Sequence, residues 1–557
     1  MFTPVHFVLL IIFLTIILSL LSVVLSNNAR LFFRENYKYL LAVLLISIIC
    51  TFPYDSHFFF GQEYEDAFVY TEYARHLLYN QDFSFDPFLV KGCAFGSLKN
   101  CLLEVTYGGH LLGISSVGYF FSKCFGYSSF IICIINFVAS LVSVCLIYCI
   151  SYILSNDRKI SIACALIYAA TPAMTLFHTS GLSETLSSTS VIFTFLLYLI
   201  LMERPQNLNK RVKLMTWIIL FMSFSLCLLQ RRENLILIFM PLITIVRMIW
   251  VRQWRQDIMI RISVFMIMGI MIVFAYLYYA INILDVESHE SYAINSATFS
   301  FTYFASLAPV FISAFFTIKL FFVFSLFTIV GFVTIPAKFK TNQLYIYPLI
   351  LFLAYFLSYT LHYRSYYFIK YGDINEFESL RYITNFSPFY CLITGYAICH
   401  ACYAFGSKVK ISKLSYLALS IIMVGYLVYA NVSLKNEYYN IEQKSRIIPV
   451  KETLKHINQA HSSIITDMPL VFQIFGDDSL VLIDAPSLGR NRCRSFAMDM
   501  IMKGKDVYYL KSLEIRESYN NSRWPVAMKF IDSLSLEQIE EYKVDGFVLY
   551  KVMKGHK

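Results

Sequence analysis

The chain has 557 residues, of which 58% are hydrophobic and 17% aromatic, and its mean hydropathy is +0.60. Only 15% of the residues are charged, and the charges collect between long apolar runs, so the composition excludes a soluble globular protein. The formal net charge of +10 does not indicate nucleic-acid binding. Most lysines and arginines lie in short loops between apolar runs, where they set membrane topology.

Apolar runs long enough to cross a bilayer recur along the first three quarters of the chain. A span needs about 20 apolar residues. This criterion predicts about twelve membrane helices, at residues 5–26, 38–54, 128–154, 160–177, 184–202, 214–230, 234–250, 262–284, 311–335, 343–361, 383–404 and 414–430. The predicted fold class is therefore a polytopic α-helical membrane protein.

Positive charge occupies alternate loops. The basic groups are Arg30/Arg34/Lys38, Arg158/Lys159, Arg204/Lys210/Arg211/Lys213, Arg247/Arg252/Arg255/Arg261, Lys338/Lys340 and Lys408/Lys410/Lys413. Because cytoplasmic loops carry the excess of lysine and arginine, the other loops are predicted to face outward. These are the first outer loop, residues 55–127, and the shorter loops 178–183, 231–233, 285–310 and 362–382.

Residues 431–557 differ from the membrane part, residues 1–430, in having more charges and shorter apolar runs. Strands are predicted at 462–466, 480–484, 507–510 and 546–551, with helices at 449–460, 488–503 and 535–543. The pattern predicts a small soluble α/β domain outside the cytoplasm.

The first outer loop opens with an acidic pair, Glu65 and Asp66, at the start of an amphipathic segment. Asp66 and Tyr70 share a helix face with the apolar positions that follow at three- and four-residue spacing. Such a helix could lie at the membrane surface, and a second surface helix is predicted at 107–124. The alternative for the acidic pair is helix capping, because carboxylates favour the positive end of a helix dipole.

Later in the same loop, Lys91 is either a substrate contact or a solvated loop charge. Cys93 and Cys101 could pair as a disulfide if the loop faces an oxidising compartment.

Arg231 and Arg232 occupy a very short turn at the predicted outer ends of two spans. Arginine there runs against the positive-inside bias, and guanidinium matches phosphate oxygens bidentately. The turn therefore indicates a phosphate site, the alternative being a structural ion pair with Glu233 or Glu184.

A second outer basic group comprises Arg364, Lys370 and Arg381. It could bind the same phosphate, contact lipid headgroups, or pair with nearby acidic residues. His178, at a predicted helix end, could orient an acceptor or simply cap the helix.

Residues 65–78 read Glu-Asp-Ala-Phe-Val-Tyr-Thr-Glu-Tyr-Ala-Arg-His-Leu-Leu, and Phe-Ser-Phe-Asp-Pro follows at 83–87. This segment resembles the first-loop signature of the GT-C glycosyltransferases, a superfamily that includes arabinofuranosyltransferase-like enzymes and protein O-mannosyltransferases. The turn opened by Glu184, the Arg-Arg-Glu turn at 231–233 and the Arg-Tyr pair at Arg381 and Tyr382 also resemble that family.

The resemblance implies a GT-C-like fold and an inverting transfer of a sugar from a polyprenyl-phosphate donor to a glycan, lipid or protein acceptor. It implies that Asp66 is the general base, with Glu65 tuning its pKa through like charge. Some relatives use a divalent cation such as Mg²⁺ or Mn²⁺ and others do not, so the resemblance leaves the metal open. The sugar and the acceptor are likewise open, and the expected location is the bacterial inner membrane with the active site facing the periplasm or exterior.

Two other classes of function compete with the transferase. A transporter or flippase of a lipid-linked or amphipathic solute would explain the spans and the outer arginines, but it requires a polar path through the bilayer. A non-catalytic membrane scaffold for the terminal domain requires no acidic pair. Convergence of Asp66, Arg231 and Arg381 on one outward cavity would favour the transferase.

Overall fold

The structure, a computed structural model, describes residues 4–51, 70–71, 74, 78, 90–91, 96–97, 104–105, 113–128, 130–181, 183–204, 208–252, 254–282, 300–316, 325–326, 328–329, 345–361, 376–406, 425–434, 436, 447–466, 472, 480–484, 497–512 and 535–553. Within these ranges the chain is mainly helical, and its C-terminal part contributes most strands of one sheet.

Two long helices open the chain, α1 (Pro4–Leu25) and α2 (Asn27–Thr51). Ser26 separates them, and its hydroxyl accepts a hydrogen bond of 3.2 Å from the backbone N–H of Ala29, as an N-capping serine does. Helix α3 (Gly113–Phe125) confirms the described part, from residue 113, of the helix predicted at 107–124.

The predicted span 160–177 is interrupted. Helix α4 (Ile131–Ser155) is followed by α5 (Arg158–Ala170) and then by a separate short helix, α6 (Pro172–His178). Thr171 between them is extended, with ψ at 122°, because the ring of a following proline disfavours helical backbone at the preceding residue. Pro172 itself fits the first position of α6, where no N–H is needed.

The middle of the chain forms α7 (Glu184–Glu203), α8 (Lys210–Gln230), a 3-10 helix (Arg232–Phe239), α9 (Met240–Val251) and α10 (Gln256–Asn282). The late helices are α11 (Phe301–Phe315), α12 (Ile346–Leu361), α13 (Glu376–Gly406) and the helical residues 425–434. The 3-10 helix is eight residues long, whereas runs beyond three or four residues are uncommon and often mark functional or strained segments.

Five helices in the described part of the chain are long and apolar enough to cross a membrane: Ile131–Ser155, Glu184–Glu203, Lys210–Gln230, Arg232–Trp250 and Gln256–Tyr278. Shorter apolar helices include Phe301–Ser313 and Ile346–Leu361. The chain is therefore a polytopic helical membrane protein, and the count of about twelve spans stays a prediction.

Helices α5 and α13 pack with almost no space between their backbones. A Cβ built on Gly395 of α13 would lie 2.5 Å from the Sγ of Cys164 and 2.7 Å from its backbone N. Only glycine permits this approach, and small residues at crossing points are how membrane helices come into close contact.

The sheet has six strands in the order β2-β5-β4-β6-β8-β7. Its members are β2 (Gly96–Ser97), β4 (Ser462–Thr466), β5 (Val481–Asp484), β6 (Asp506–Ser512), β7 (Leu536–Gln538) and β8 (Phe547–Val552). A separate antiparallel pair joins β1 (Val90–Lys91) to β3 (Glu104–Val105). The central strand β4 is buried at all five positions, and it pairs in parallel with both β5 and β6.

Four of the predicted strands are confirmed within one or two residues at each end. Helix α14 (Ile448–His456) confirms the helix predicted at 449–460, and residues 497–502 are helical within the one predicted at 488–503. The chain then turns at Gly504, whose φ of +78° is a left-handed conformation that favours glycine after a helix end.

The helix predicted at 535–543 is wrong, because its first residues form β7. This strand pairs antiparallel with β8, and the N–H of Ile539 donates to the carbonyl of Leu549 at 2.9 Å. The Leu-Glu-Gln-Ile-Glu-Glu sequence favours a helix by propensity, but pairing along an available sheet edge outweighs it.

One edge of the sheet comes from the first loop rather than from the C-terminal part. Gly96 and Ser97 of β2 pair antiparallel with Leu482 and Val481 of β5. Backbone hydrogen bonds between these strands therefore join the two predicted parts of the chain, residues 1–430 and 431–557.

Candidate functional site

The predicted arginine turn lies where α8 meets the 3-10 helix. Arg231 is extended, with φ at −153° and ψ at 130°, and ends α8 by donating its backbone N–H to the carbonyl of Cys227 at 3.0 Å. The 3-10 helix starts at Arg232. The turn therefore places two consecutive arginines just after the C-terminal end of α8.

Arg231 is held by two carboxylates. Its Nη1 donates to Oε1 of Glu184, the first residue of α7, at 2.6 Å, and its Nη2 donates to Oε1 of Glu233 at 3.3 Å. The ion pair that was the alternative for Arg231 in the sequence is therefore present with both partners. Hydrogen bonds between ionised groups are the strong ones.

Burial makes the Glu184 contact the more consequential of the two. The Glu184 side chain is 0% exposed and that of Arg231 is 11% exposed, whereas that of Glu233 is 24% exposed. A charge buried to this extent needs its counter-charge, and removal of one partner of a buried pair typically costs about 3–5 kcal/mol. Together with Arg232, the turn balances two positive charges against two negative ones.

Helix α13 completes the same site. The guanidinium carbon of Arg231 lies 5.9 Å from the ring centre of Tyr382, within the range of a cation–π contact. Tyr382 is itself buried and packs against Tyr359 of α12, with ring centres 5.3 Å apart. Glu184, Arg231 and Tyr382, which were predicted separately, are therefore brought together by α7, α8 and α13.

A buried layer of polar side chains lies next to this cluster along the same helices. It comprises Ser187 of α7, Asn234 of the 3-10 helix, Tyr355 and Tyr359 of α12, and Asn385 of α13, joined by hydrogen bonds of 2.9–3.3 Å. None of these residues was predicted. Their signal in the sequence is the occurrence of asparagine and serine inside apolar spans, where polar residues are costly and commonly functional.

His178 closes α6 beside the end of α2. Its Nδ1 lies 3.1 Å from the Oγ1 of Thr51, and its ring is tilted against that of Tyr168 at 5.4 Å between centres. Thr51 is the last residue of α2, directly before the first loop. The position of His178 is that of a helix-end contact, and its predicted role toward an acceptor stays a prediction.

Tyr70, predicted as a substrate contact, is buried in an apolar cluster with Ile114 and Val117 of α3 and Ile132 and Ile135 of α4. Residue 70 is helical, in agreement with the predicted loop helix. Its burial places this side chain against α3 and α4.

Several predicted site residues fall outside the described part of the chain: Glu65, Asp66, Arg364 and Lys370, together with Cys93 and Cys101. Lys91 and Arg381 are described by their backbones alone, in β1 and α13. The convergence of Asp66, Arg231 and Arg381 on one cavity therefore stays a prediction. Among the residues that the structure describes, no group of three or more His, Cys, Asp or Glu is placed to hold a metal ion.

Comparison of the sequence with family models and with curated proteins gives no match. Comparison of the structure gives several. The ArnT protein of Cupriavidus metallidurans bound to undecaprenyl phosphate is similar at a TM-score of 0.54 and 11% identity, over 93% of this chain and 98% of that chain. The oligosaccharyltransferase AglB of Archaeoglobus fulgidus, in complex with an inhibitory peptide and a dolichol-phosphate, is similar at a TM-score of 0.50 and 12% identity, over 93% and 74%.

The chain thus has the fold of ArnT and of the oligosaccharyltransferase AglB, in agreement with the GT-C-like fold that the first-loop resemblance implies. Identities of 10–12% establish the fold alone, and activity must be argued from the site.

Proposed function

We propose that this protein is an inverting glycosyltransferase that moves a sugar from a polyprenyl-phosphate donor to an acceptor on the non-cytoplasmic face of the membrane, which we take to be the bacterial inner membrane. The observation that carries the proposal is the Glu184–Arg231–Glu233 cluster, with Glu184 fully buried, at the turn leading to Arg232. The cluster belongs to a fold that is similar to ArnT bound to undecaprenyl phosphate and to AglB in complex with a dolichol-phosphate.

The two arginines of the turn would have different roles. Arg231 is engaged by two carboxylates and fixes the turn. Arg232, the next residue, is half-buried at the start of the 3-10 helix and would contact the donor phosphate. Guanidinium held in place before the reaction can neutralise the charge that grows on a leaving phosphate, which is a large catalytic contribution. Arg381, Lys370 and Arg364 would add to the same charge.

The chemistry requires a base as well. Asp66 would accept the proton of the acceptor hydroxyl or amine as the acceptor attacks the anomeric carbon, and the bond from that carbon to the phosphate oxygen would break, leaving polyprenyl phosphate. Such proton transfer typically contributes 10²–10⁴-fold. A single displacement of this kind inverts the anomeric centre.

The structure favours the transferase over a flippase. The described ion pairs of α7 lie at its two ends, Glu184 with Arg231 and Glu203 with Arg247. Between them the described polar groups are hydroxyls bonded to a neighbouring helix, such as that of Thr194. A transporter would place its substrate site near that depth, whereas the charges that could hold a phosphate lie at the helix ends.

The test is deletion of the gene in its host, followed by mass spectrometry of the envelope glycans. We expect one sugar to be missing after deletion, wild-type protein to restore it, and Asp66→Asn not to restore it. Glu65→Gln is the matched variant: it should retain partial activity, since Glu65 only tunes the base. Full restoration by Asp66→Asn would overturn the assignment of the base, and unchanged glycans after deletion would overturn the proposed function.

A further inference from the structure

The polar layer beside Arg231 is organised around one amide whose hydrogen-bonding capacity is completely used. Asn234 Nδ2 donates to the Oγ of Ser187 at 2.9 Å and to the carbonyl of Cys227 at 2.8 Å. Its Oδ1 accepts from the hydroxyl of Tyr355 at 3.1 Å and from Nδ2 of Asn385 at 3.3 Å. An asparagine side chain has two donor protons and two acceptor lone pairs, so Asn234 has no spare capacity.

Asn385 is fixed in the same way. Its Nδ2 donates to Asn234 and, at 3.1 Å, to the hydroxyl of Tyr359, while its Oδ1 accepts from the Oγ of Ser187 at 3.0 Å. Rotation of the Asn234 amide by half a turn would set donor against donor, and rotation of the Asn385 amide would set acceptor against acceptor. The two amides therefore fix each other's orientation. Through their hydrogen bonds they also fix how the 3-10 helix, α7, α12 and α13 are oriented relative to one another.

Three residues of the charged cluster stand shortly before residues of this layer in the chain. Glu184 stands one helical turn before Ser187 on α7, and Tyr382 stands one turn before Asn385 on α13. Residues three apart on a helix share a face. Glu233 immediately precedes Asn234. Any rotation of these helices that breaks the amide pair also moves the partners of Arg231.

Stability alone does not account for such a layer. A well-packed apolar layer is often as stable as a buried polar one, so buried polar groups are better explained where they specify a unique arrangement. Bonds of this kind between membrane helices contribute about 0.6 kcal/mol on average.

We propose that Asn234 and Asn385 are positioning residues that set the angle of the Arg231–Arg232 turn toward the phosphate of a lipid-linked donor. The inference rests on the donor proposed above. It predicts that loss of either amide weakens phosphate recognition more than it weakens the fold.

The chain supplies a matched control at the far ends of two of the same helices. Thr244 of α9 lies 2.6 Å from the hydroxyl of Tyr198 on α7 and 2.9 Å from that of Tyr347 on α12. Tyr198 is eleven residues beyond Ser187, about 16 Å along the helix. Thr244→Val removes hydrogen bonds of the same kind from the same pair of helices, away from the arginine turn.

The experiment measures the affinity of the purified full chain for undecaprenyl phosphate in phosphatidylcholine nanodiscs by native mass spectrometry, together with thermal unfolding. We expect Asn234→Ala and Asn385→Ala to bind on the order of tenfold more weakly than wild type, equivalent to about 1.4 kcal/mol, and Thr244→Val to bind as wild type does. Ser187→Ala removes one hydroxyl from the layer and provides a milder variant if the asparagine variants do not fold.

The outcomes separate the two proposals. Wild-type protein that does not bind undecaprenyl phosphate would overturn the donor site itself. Wild-type binding that is retained in Asn234→Ala, Asn385→Ala and Ser187→Ala would overturn the positioning role. An equal loss of affinity in Thr244→Val would also overturn it, because the effect would then belong to helix packing in general.

Discussion

Arg231 donates from Nη1 to Oε1 of Glu184 across 2.6 Å, although the two residues are 47 positions apart in the chain. This contact joins the C-terminal end of α8 to the first turn of α7. Because the Glu184 side chain is fully buried, the carboxylate depends on Arg231 for its counter-charge, and the arginine turn depends on α7 for its position.

The two carboxylates on Arg231 should differ in their contribution to stability. We expect Glu184→Ala to lower the free energy of unfolding by about 3–5 kcal/mol, since it breaks a buried pair. Glu233→Ala should lower the free energy of unfolding by roughly 1 kcal/mol or less, because the hydrogen bond from Arg231 to that carboxylate is longer and the side chain is partly exposed. Thermal and denaturant unfolding in detergent measure both, and equal losses would contradict the proposed difference.

The two arginines should separate stability from phosphate binding. Arg231→Ala leaves Glu184 without its counter-charge and should destabilise the protein by about 3–5 kcal/mol. Arg232→Ala should weaken binding of undecaprenyl phosphate more strongly than it lowers the free energy of unfolding, with the larger loss of binding at low salt. Binding by Arg232→Ala at wild-type strength would show that the neighbouring arginine does not contact the phosphate.

The α5–α13 contact should not tolerate a methyl group. Gly395→Ala places a Cβ against Cys164 at 2.5–2.8 Å, and overpacking of this kind typically costs about 1–3 kcal/mol. Gly425→Ala is the matched control, since a Cβ there has no neighbour within 4 Å in the described part of the chain. Its lower entropy in the unfolded state should leave stability equal or about 0.4–1 kcal/mol higher. The comparison is made by thermal unfolding, and a neutral Gly395→Ala would contradict the close approach.

The first loop should be cross-linkable to the C-terminal strands. In a background with Cys93 and Cys101 changed to serine, Gly96→Cys with Leu482→Cys places two thiols on paired positions, close enough for a disulfide. Gly96→Cys with Asp484→Cys is two residues out of register and should cross-link far less.

Mass spectrometry of the oxidised peptides reads out the bond. In the reduced protein, a membrane-impermeant thiol reagent should label both cysteines from outside the cell. Labelling of only one of them from that side would contradict the shared outward location.

The amino-acid sequence was sufficient for the helical membrane class, because each long apolar run carries its own signal. It was also sufficient for the core strands, where Ser462–Thr466 and Phe547–Val552 alternate or cluster β-branched and aromatic residues. It missed β7, where the decision between helix and strand is made by a neighbouring sheet edge and not by the segment itself.

The candidate site shows the same division. Arg231 and Glu184 are each identifiable in the sequence as charges at span ends, and an ion pair between them was one of the two interpretations of the arginine turn. The Asn234–Asn385 pair was not identifiable, since a single asparagine in an apolar run does not reveal which distant helix satisfies it. Likewise the break at Pro172 is local and readable in principle, whereas the partner of Gly395 is set only by how α5 and α13 cross.

The pairing of Ser97 with Val481 also constrains how the polypeptide is made. Val481 leaves the ribosome 384 residues after Ser97, an interval of about 20–80 s at ordinary rates of synthesis. During that interval β2 has no strand to join, so the sheet edge can be completed only after nearly the whole chain has been translated. A product truncated before Val481 would lack the partner of β2. Folding of the first loop can therefore finish only after β5 has been synthesised.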